Sequence, residues 1–160
     1  MKVPFSILPV GSDSAFPLRT ELKRPIVALL LAKGDRQFVV FAVVDSGADL
    51  CVFPASVATR LGISLPNDRA STFSGSGETT QLAYFEPIQA TILPMDAPNI
   101  EPDQEPIAFP LYAGFCETLE HFGMGLLGHE SFFSRFTVSF NYTQSYFEIL
   151  EPVILAPALS

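Results

Sequence analysis

An acidic residue at the end of an apolar run is the feature of this sequence that could do chemistry. Asp45 follows the apolar run Phe38 to Val44 and is itself followed by Ser46 and Gly47. A carboxylate at the end of a buried strand is unfavourable unless it is paired or hydrogen-bonded. Gly47 permits a tight turn, and the Ser46 hydroxyl can donate and accept hydrogen bonds. The triplet therefore indicates a carboxylate held by backbone amides at the tip of a turn.

The same triplet is compatible with an ordinary turn after a strand, because Asp and Ser are common turn formers. At average residue usage, an Asp-Ser/Thr-Gly triplet arises by chance in roughly one chain in fifteen of this length. Its surroundings make it more specific. Two valines precede it, Ala48 and Asp49 follow it, and Leu50 to Phe53 leads into a predicted helix.

The elements that must position the triplet are a hairpin before it and a short helix after it. The apolar runs Ile26 to Ala32 and Phe38 to Val44 flank five turn-like residues, which predicts two paired strands buried on both faces. Pro54 suits the first turn of a helix and Gly62 suits its C-terminal cap. The apolar face of that helix comprises Val57, Ala58 and Leu61.

The rest of the chain predicts further strands, loops and one more short helix. Gly11 to Arg24 is predicted to be irregular, and Ala70 to Thr80 to form a mobile hairpin tip around Gly75-Ser76-Gly77. His129 to Phe136 predicts a short helix with its phenylalanines inward. The predicted strands are Phe5 to Val10, Leu82 to Leu93, Ile107 to Phe115, Met124 to Leu127, Thr137 to Phe140 and Tyr146 to Leu150. We therefore expect an all-β single domain over residues 1–160, with its core at about 24–150 and one or two short helices.

Composition limits the possible partners. The formal net charge of −8 leaves no basic patch for a nucleic acid. Cys51 and Cys116 are expected to be buried thiols, and no metal or other cofactor is expected, because the His and Cys residues lack zinc-like spacing. With no apolar run long enough to cross a bilayer and no signal-peptide pattern, we expect a cytoplasmic protein without a membrane partner.

Over roughly Arg24 to Leu150, the chain resembles the retropepsin-like aspartic peptidases, the single-domain relatives of retroviral proteases, in particular their bacterial members. Val44 to Asp49 resembles the active-site loop of that family. Phe73 to Thr80 stands where the family has its flap, and Leu126-Leu127-Gly128 resembles its second signature. The resemblance implies an all-β retropepsin-like acid-protease barrel and an aspartic endopeptidase.

The resemblance also implies a homodimer, because the chain has one Asp-Ser-Gly triplet and the family's active site needs two. The two Asp45 carboxylates would share a proton and activate a water, with Ser46 bracing the loops and Gly47 lying along the substrate. The substrate would be an extended peptide or protein segment. The residues expected to bind it are Ala48, Asp49, Ser74, Gly75, Ser76, Gly77 and Leu126.

Three alternatives remain open at this point. His129 stands where retroviral members carry an Arg paired with the equivalent of Asp49, so a pH-dependent pair of His129 with Asp49 is one hypothesis and an exposed helix-start His is the other. A catalytically silent peptide-binding or dimerisation module would have the same fold. Gly123 to Gly128 also fits the dinucleotide-binding pattern G-x-G-x-x-G, but too few residues follow it to complete a nucleotide-binding sheet.

Overall fold

The fold is all-β. In a computed structural model that describes residues 1–11, 13–74, 80–98 and 100–151, strands account for 51% of the described residues. The first six strands are β1 (Lys2–Pro4), β2 (Ser6–Pro9), β3 (Glu21–Arg24), β4 (Ile26–Lys33), β5 (Arg36–Val44) and β6 (Val52–Pro54). The other six are β7 (Ala70–Ser74), β8 (Thr80–Leu93), β9 (Ile107–Cys116), β10 (Gly125–Leu127), β11 (Thr137–Asn141) and β12 (Tyr146–Leu150).

Six of these strands close into a barrel in the order β4, β5, β10, β6, β9, β8, with β8 pairing back to β4. Strand β7 adds to the outside of β8. A three-stranded sheet in the order β1, β12, β11 and a two-stranded sheet of β2 and β3 complete the fold. Val3 of β1 and Phe147 of β12 belong to the same buried cluster as Leu29 of β4, so the three-stranded sheet packs on the barrel core.

The hairpin of β4 and β5 is confirmed, with pairing from Ile26 opposite Val43 to Lys33 opposite Arg36. The prediction that both strands are buried on both faces was wrong for β5. Val40, Ala42 and Val44 are buried, whereas Val39 and Phe41 are 48% and 49% exposed. The side chains of β5 therefore alternate between a buried inner face and an exposed outer face, and the outer face also carries apolar residues.

The predicted helix after Pro54 is present as α1 (Ala55–Arg60), with Val57 and Ala58 buried against the core. Gly62 ends it with a φ of +71°, and a side chain there would meet Arg36. No helix in the described part of the chain is long and apolar enough to cross a membrane.

Two other expectations were wrong. Glu21–Arg24 is a strand paired with Ser6–Pro9 rather than part of an irregular segment, because ladder hydrogen bonds come from the backbone and tolerate polar side chains. His129–Phe133 is a distorted π-type turn rather than a regular helix, since Ser131 has a φ of +74°. Phe132 is nevertheless buried, as predicted, while Phe133 is only partly buried.

The arms of the hairpin that contains the expected flap are present as β7 and β8, with Ser74 opposite Thr80. Its tip, Gly75-Ser76-Gly77, lies outside the described residues. The hairpin predicted near the C-terminus is confirmed as β11 and β12, with Thr137 opposite Leu150.

Candidate active site

The segment Asp45 to Cys51 crosses the end of a neighbouring strand. Strand β10 lies between β5 and β6 in the barrel, although β5 and β6 are consecutive along the chain. Leu127 pairs in parallel with Val44, and Leu126 pairs with Val52. The chain leaving β5 must therefore pass over the carboxyl end of β10 before it enters β6.

Backbone hydrogen bonds fix this crossing at three points. The Asp45 amide donates to the Leu127 carbonyl at 3.0 Å. The His129 amide donates to Ala48 O at 2.9 Å, and the Glu130 amide donates to Asp49 O at 2.8 Å. The loop that carries Asp45 is thus part of the barrel framework and does not hang free from it.

Gly128 makes this crossing possible. A Cβ at position 128 would come 2.5 Å from the Ala48 carbonyl oxygen and would also overlap the Leu50 carbonyl. Both obstacles are backbone atoms, which cannot rotate away as a side chain can. The glycine after Leu126 and Leu127 therefore has a physical reason, which is the close passage of one backbone over another.

The Asp45 carboxylate folds back over its own turn. The Gly47 amide donates to Asp45 Oδ1 at 2.9 Å, and the Ala48 amide donates to the Asp45 carbonyl at 3.2 Å. Asp45 is half-buried, whereas Ser46 and Gly47 are exposed. In the described part of the chain, no hydrogen bond reaches Asp45 Oδ2. One carboxylate oxygen is therefore held by the backbone, and the other is available to a ligand.

The His129 ring contacts the same turn through the Ser46 carbonyl oxygen. Its Nε2 lies 2.8 Å from the Ser46 carbonyl oxygen, to which it donates. Of the two hypotheses for this residue, pairing with Asp49 has no ion pair among the described residues to support it, and His129 is exposed, as the other hypothesis has it. The backbone of His129 is committed to Ala48, which directs the ring toward the turn.

A buried thiol links the loop that carries Asp45 to the end of β10 by hydrogen bonds. Cys51 is 1% exposed, its Sγ accepts from the Gly128 amide at 3.3 Å, and it donates to the Glu130 carbonyl at 3.0 Å. Burial raises the pKa of the Cys51 thiol to about 12, so the neutral form is the one that makes both contacts. As predicted, both cysteines are free and buried.

Asp45 and Ser46 open on a cavity of about 470 Å³. Its walls come from both ends of the sequence, and most of them are apolar. They are Leu8, Arg24, Pro25, Ile26, Val43, Val44, Phe122, Met124, Leu126 and Phe140. Leu126 was expected here. Leu8, Arg24, Phe122 and Phe140 were missed, and only Phe140, in an alternating strand, carried a signal that could have found it.

No family model, curated protein or solved structure matches this chain.

The hairpin of β7 and β8 packs on the same floor as the site loop. Leu50, Phe73 and Leu126 pack against one small apolar cluster that includes Val52 and Phe85. Leu50 follows Asp49, and Phe73 precedes Ser74 at the exposed end of β7. The arms of the hairpin are therefore anchored to the floor, while Gly75, Ser76 and Gly77 lie beyond the described part.

The glycine-rich segment does not form a phosphate cradle. Gly128 faces the carbonyl oxygens of Ala48 and Leu50, and a phosphate would be repelled by those oxygens. The turn that follows is short and distorted, and the amides of His129, Glu130 and Phe133 are already donated to carbonyls. No group of three or more potential metal ligands occurs among the described residues.

Proposed function

We propose that this chain is an aspartic endopeptidase of the retropepsin-like type and acts as a homodimer. The observation that carries the proposal is the Asp45 carboxylate, which lines a mostly apolar cavity and has one oxygen held by the Gly47 amide, while no hydrogen bond from the described residues reaches the other oxygen. A carboxylate so fixed can exchange a proton with a bound water or substrate.

The homodimer follows from the number of acids. Hydrolysis by this chemistry needs one carboxylate to take a proton and another to give one, and the chain has a single Asp-Ser-Gly triplet. Asp49 is exposed on the same loop, but its backbone is committed to Glu130 and it does not line the cavity. A twofold axis near Asp45 would bring the second carboxylate from another copy.

The reaction then runs through one water and one shared proton. One Asp45 takes a proton from the water while the water oxygen bonds to the scissile carbonyl carbon. The other Asp45 gives its proton to the carbonyl oxygen, which forms a tetrahedral diol. As the diol collapses, a proton passes to the amide nitrogen, the carbon–nitrogen bond breaks, and an acid and an amine leave. No covalent enzyme intermediate forms.

The substrate class is an extended polypeptide with an apolar side chain beside the scissile bond. Leu126 and Phe122 give the cavity an apolar wall of side-chain size. The β7–β8 hairpin would cover the peptide, with Ser74 to Gly77 above it and Gly47 to Asp49 below it. The Asp49 carboxylate would accept a hydrogen bond from a substrate amide.

The test is cleavage of an unfolded protein at pH 4 to 7 by the wild type and by Asp45→Asn. We expect Asp45→Asn to lose a factor of roughly a hundred or more in rate, because the general base and acid are removed together. Asp35→Asn is the matched control, since Asp35 is an exposed acid in the β4–β5 turn.

Two outcomes would contradict the proposal. Equal cleavage by wild type and Asp45→Asn would show that another group, or a contaminant, does the chemistry. Saturable peptide binding by the wild type with no turnover at any pH would favour the silent binding module.

A further inference from the structure

Among the described residues, no strand pairs with the outer edge of β11. Strand β12 lies between β1 and β11, so β11 has one paired neighbour among the described strands. Within the described ranges, no hydrogen bond reaches the other side of the β11 backbone between Thr137 and Phe140. Unpaired amides and carbonyls along a strand are a template for another strand.

The opposite edge of the same sheet is closed. The side chain of Gln104 accepts from the Lys2 amide at 2.6 Å and donates to the Lys2 carbonyl at 2.8 Å. It thereby occupies the edge of β1 as a strand would, and Pro4 removes a further donor. Within the part of the chain that the structure describes, the sheet is thus blocked at β1 and left unblocked at β11.

The sequence of β11 is suited to pairing with itself. Thr137-Val138-Ser139-Phe140-Asn141 contains no charge and no proline, in a chain of formal net charge −8. Its polar and apolar residues alternate about Ser139. In an antiparallel pair centred on Ser139, Phe140 lies opposite Val138 of the other strand, and Thr137 lies opposite Asn141. Both faces then match, and no like charges meet.

The position of β11 joins this edge to the candidate site. Phe140 lines the cavity on which Asp45 and Ser46 open. It also lies 6.4 Å from Phe5 and 6.0 Å from Phe147 between ring centroids, so the core of the sheet holds it in place. A copy docked on β11 would therefore lie beside the cavity.

We propose that β11 pairs antiparallel with β11 of a second copy of this chain, centred on Ser139, and joins the two three-stranded sheets into one of six strands. The inference deepens the proposed function and rests on it for the need of a second Asp45. The twofold axis passes through the Ser139 pair and next to Phe140, which lines the cavity, and the proposed function requires this same axis to pass near Asp45.

Disulfide trapping tests this register. Ser139→Cys places two thiols directly opposite each other, with Cβ atoms roughly 5 Å apart, which a disulfide can bridge. Thr137→Cys is the control on the same strand and face. Its two copies are four residues out of register, roughly 13 Å apart, beyond the reach of a disulfide. The native Cys51 and Cys116 are 1% and 2% exposed and do not compete.

Under mild oxidation, we expect Ser139→Cys to form a covalent dimer at least about ten times faster than Thr137→Cys. Equal rates, or a covalent dimer from Thr137→Cys alone, would overturn the register. A wild type that sediments as a monomer at micromolar concentration would overturn the pairing itself.

A charge exchange gives a second, non-covalent measurement. Ser139 is exposed, so Ser139→Lys and Ser139→Glu should both fold, which circular dichroism checks. Each alone sets like charges opposite each other and should raise the dimer dissociation constant by roughly tenfold, whereas an equal mixture should restore it. Unchanged affinity in all three samples would count against the proposal.

These measurements do not depend on catalysis. If Ser139→Cys is trapped as a dimer but the chain shows no cleavage, the interface is supported and the proposed function is contradicted. If cleavage is lost in Asp45→Asn but Ser139→Cys is not trapped as a dimer, the proposed function is supported and this interface is contradicted.

Discussion

Two carboxylates of this chain, Asp45 and Glu86, are held in opposite ways. Glu86, on β8, is 17% exposed and accepts from Lys33 Nζ at 2.6 Å and from the Arg69 guanidinium. The Lys33 ammonium that donates to it holds the pKa of the Glu86 carboxyl below its usual range. Asp45 has the Gly47 amide, and no cation lies within ion-pair distance of it among the described residues.

The difference separates an anion that serves the fold from an acid that is open to a ligand. Glu86 has its oxygens committed to two cations of the same chain, so it bridges β4, β8 and the segment before β7. Asp45 lines a cavity and has one oxygen held by the Gly47 amide, while no described residue donates a hydrogen bond to the other. Asp45 is held by the backbone crossing, whereas Glu86 is held by charge. Substitutions that disturb the crossing and substitutions that remove the ion pairs should therefore have different effects.

The largest expected effect is on the crossing itself. Gly128→Ala drives a methyl group into the Ala48 and Leu50 carbonyls, and we expect the free energy of unfolding to fall by about 3 kcal/mol. Cleavage should be lost with it. Gly11→Ala is the control, because nothing lies within 4 Å of a Cβ there. Urea unfolding that gives both variants the same stability would show that the crossing is looser than described.

The thiol under the loop comes next. Cys51→Ala leaves the Gly128 amide and the Glu130 carbonyl without their partner and should lower the free energy of unfolding by about 2 kcal/mol. Cys51→Ser keeps a donor and an acceptor and should lose less. If the serine variant loses as much as the alanine variant, packing rather than hydrogen bonding is the contribution of Cys51.

The same thiol gives a pH dependence. Because burial raises its pKa from 9.0 to about 12, the unfolded chain loses this proton at lower pH than the folded chain does. The contribution of the neutral thiol is complete below pH 9 and is lost as pH rises toward 12. The stability advantage of wild type over Cys51→Ala should therefore shrink across that window. A constant difference from pH 8 to 11 would contradict the assignment.

A smaller effect is expected at His129. His129→Ala removes the ring that donates to the Ser46 carbonyl and should cost about 1 kcal/mol, with a several-fold loss of cleavage. His121→Ala is the matched control, since His121 is exposed in the loop before β10. Identical cleavage by the two variants would mean that the ring does not position the turn.

The smallest effect on the free energy of unfolding is expected at Glu86, the carboxylate that is held by ion pairs. Glu86→Gln breaks the ion pairs with the partly exposed Lys33 and Arg69 and should cost no more than about 1 kcal/mol. Since the pKa of Glu86 is lowered, its contribution is present above the ordinary value of 4.5 and is lost as pH falls below that value. Glu101→Gln serves as the exposed control. The cleavage rate of Glu86→Gln should be unchanged. A large fall in that rate would mean that Glu86 contributes to the candidate site.

Much of this arrangement could be predicted from the sequence where local chemistry decides it. Alternating or continuous apolar runs located β4, β5 and the closing hairpin, and Asp45-Ser46-Gly47 located the turn. The strand Glu21–Arg24 was missed because its side chains are polar, and only its pairing with β2 defines it. The distortion at Ser131 was missed because the phenylalanines around it keep helical spacing.

The walls of the cavity were the least predictable part. Leu8, Phe122 and Phe140 are far apart in sequence and meet only because β2, the loop before β10, and β11 surround the end of β5. The partner of the His129 ring was likewise set by the backbone crossing, which no local pattern encodes.

The central claim, that two Asp45 carboxylates from two copies share one site, is tested most directly by mixing subunits. A fixed amount of wild type is incubated with increasing Asp45→Asn at saturating substrate. The account predicts that cleavage falls toward zero as wild-type chains become paired with variant chains, because a mixed dimer has one carboxylate. Cleavage that stays constant under a large excess of Asp45→Asn, with subunit exchange verified, would contradict it.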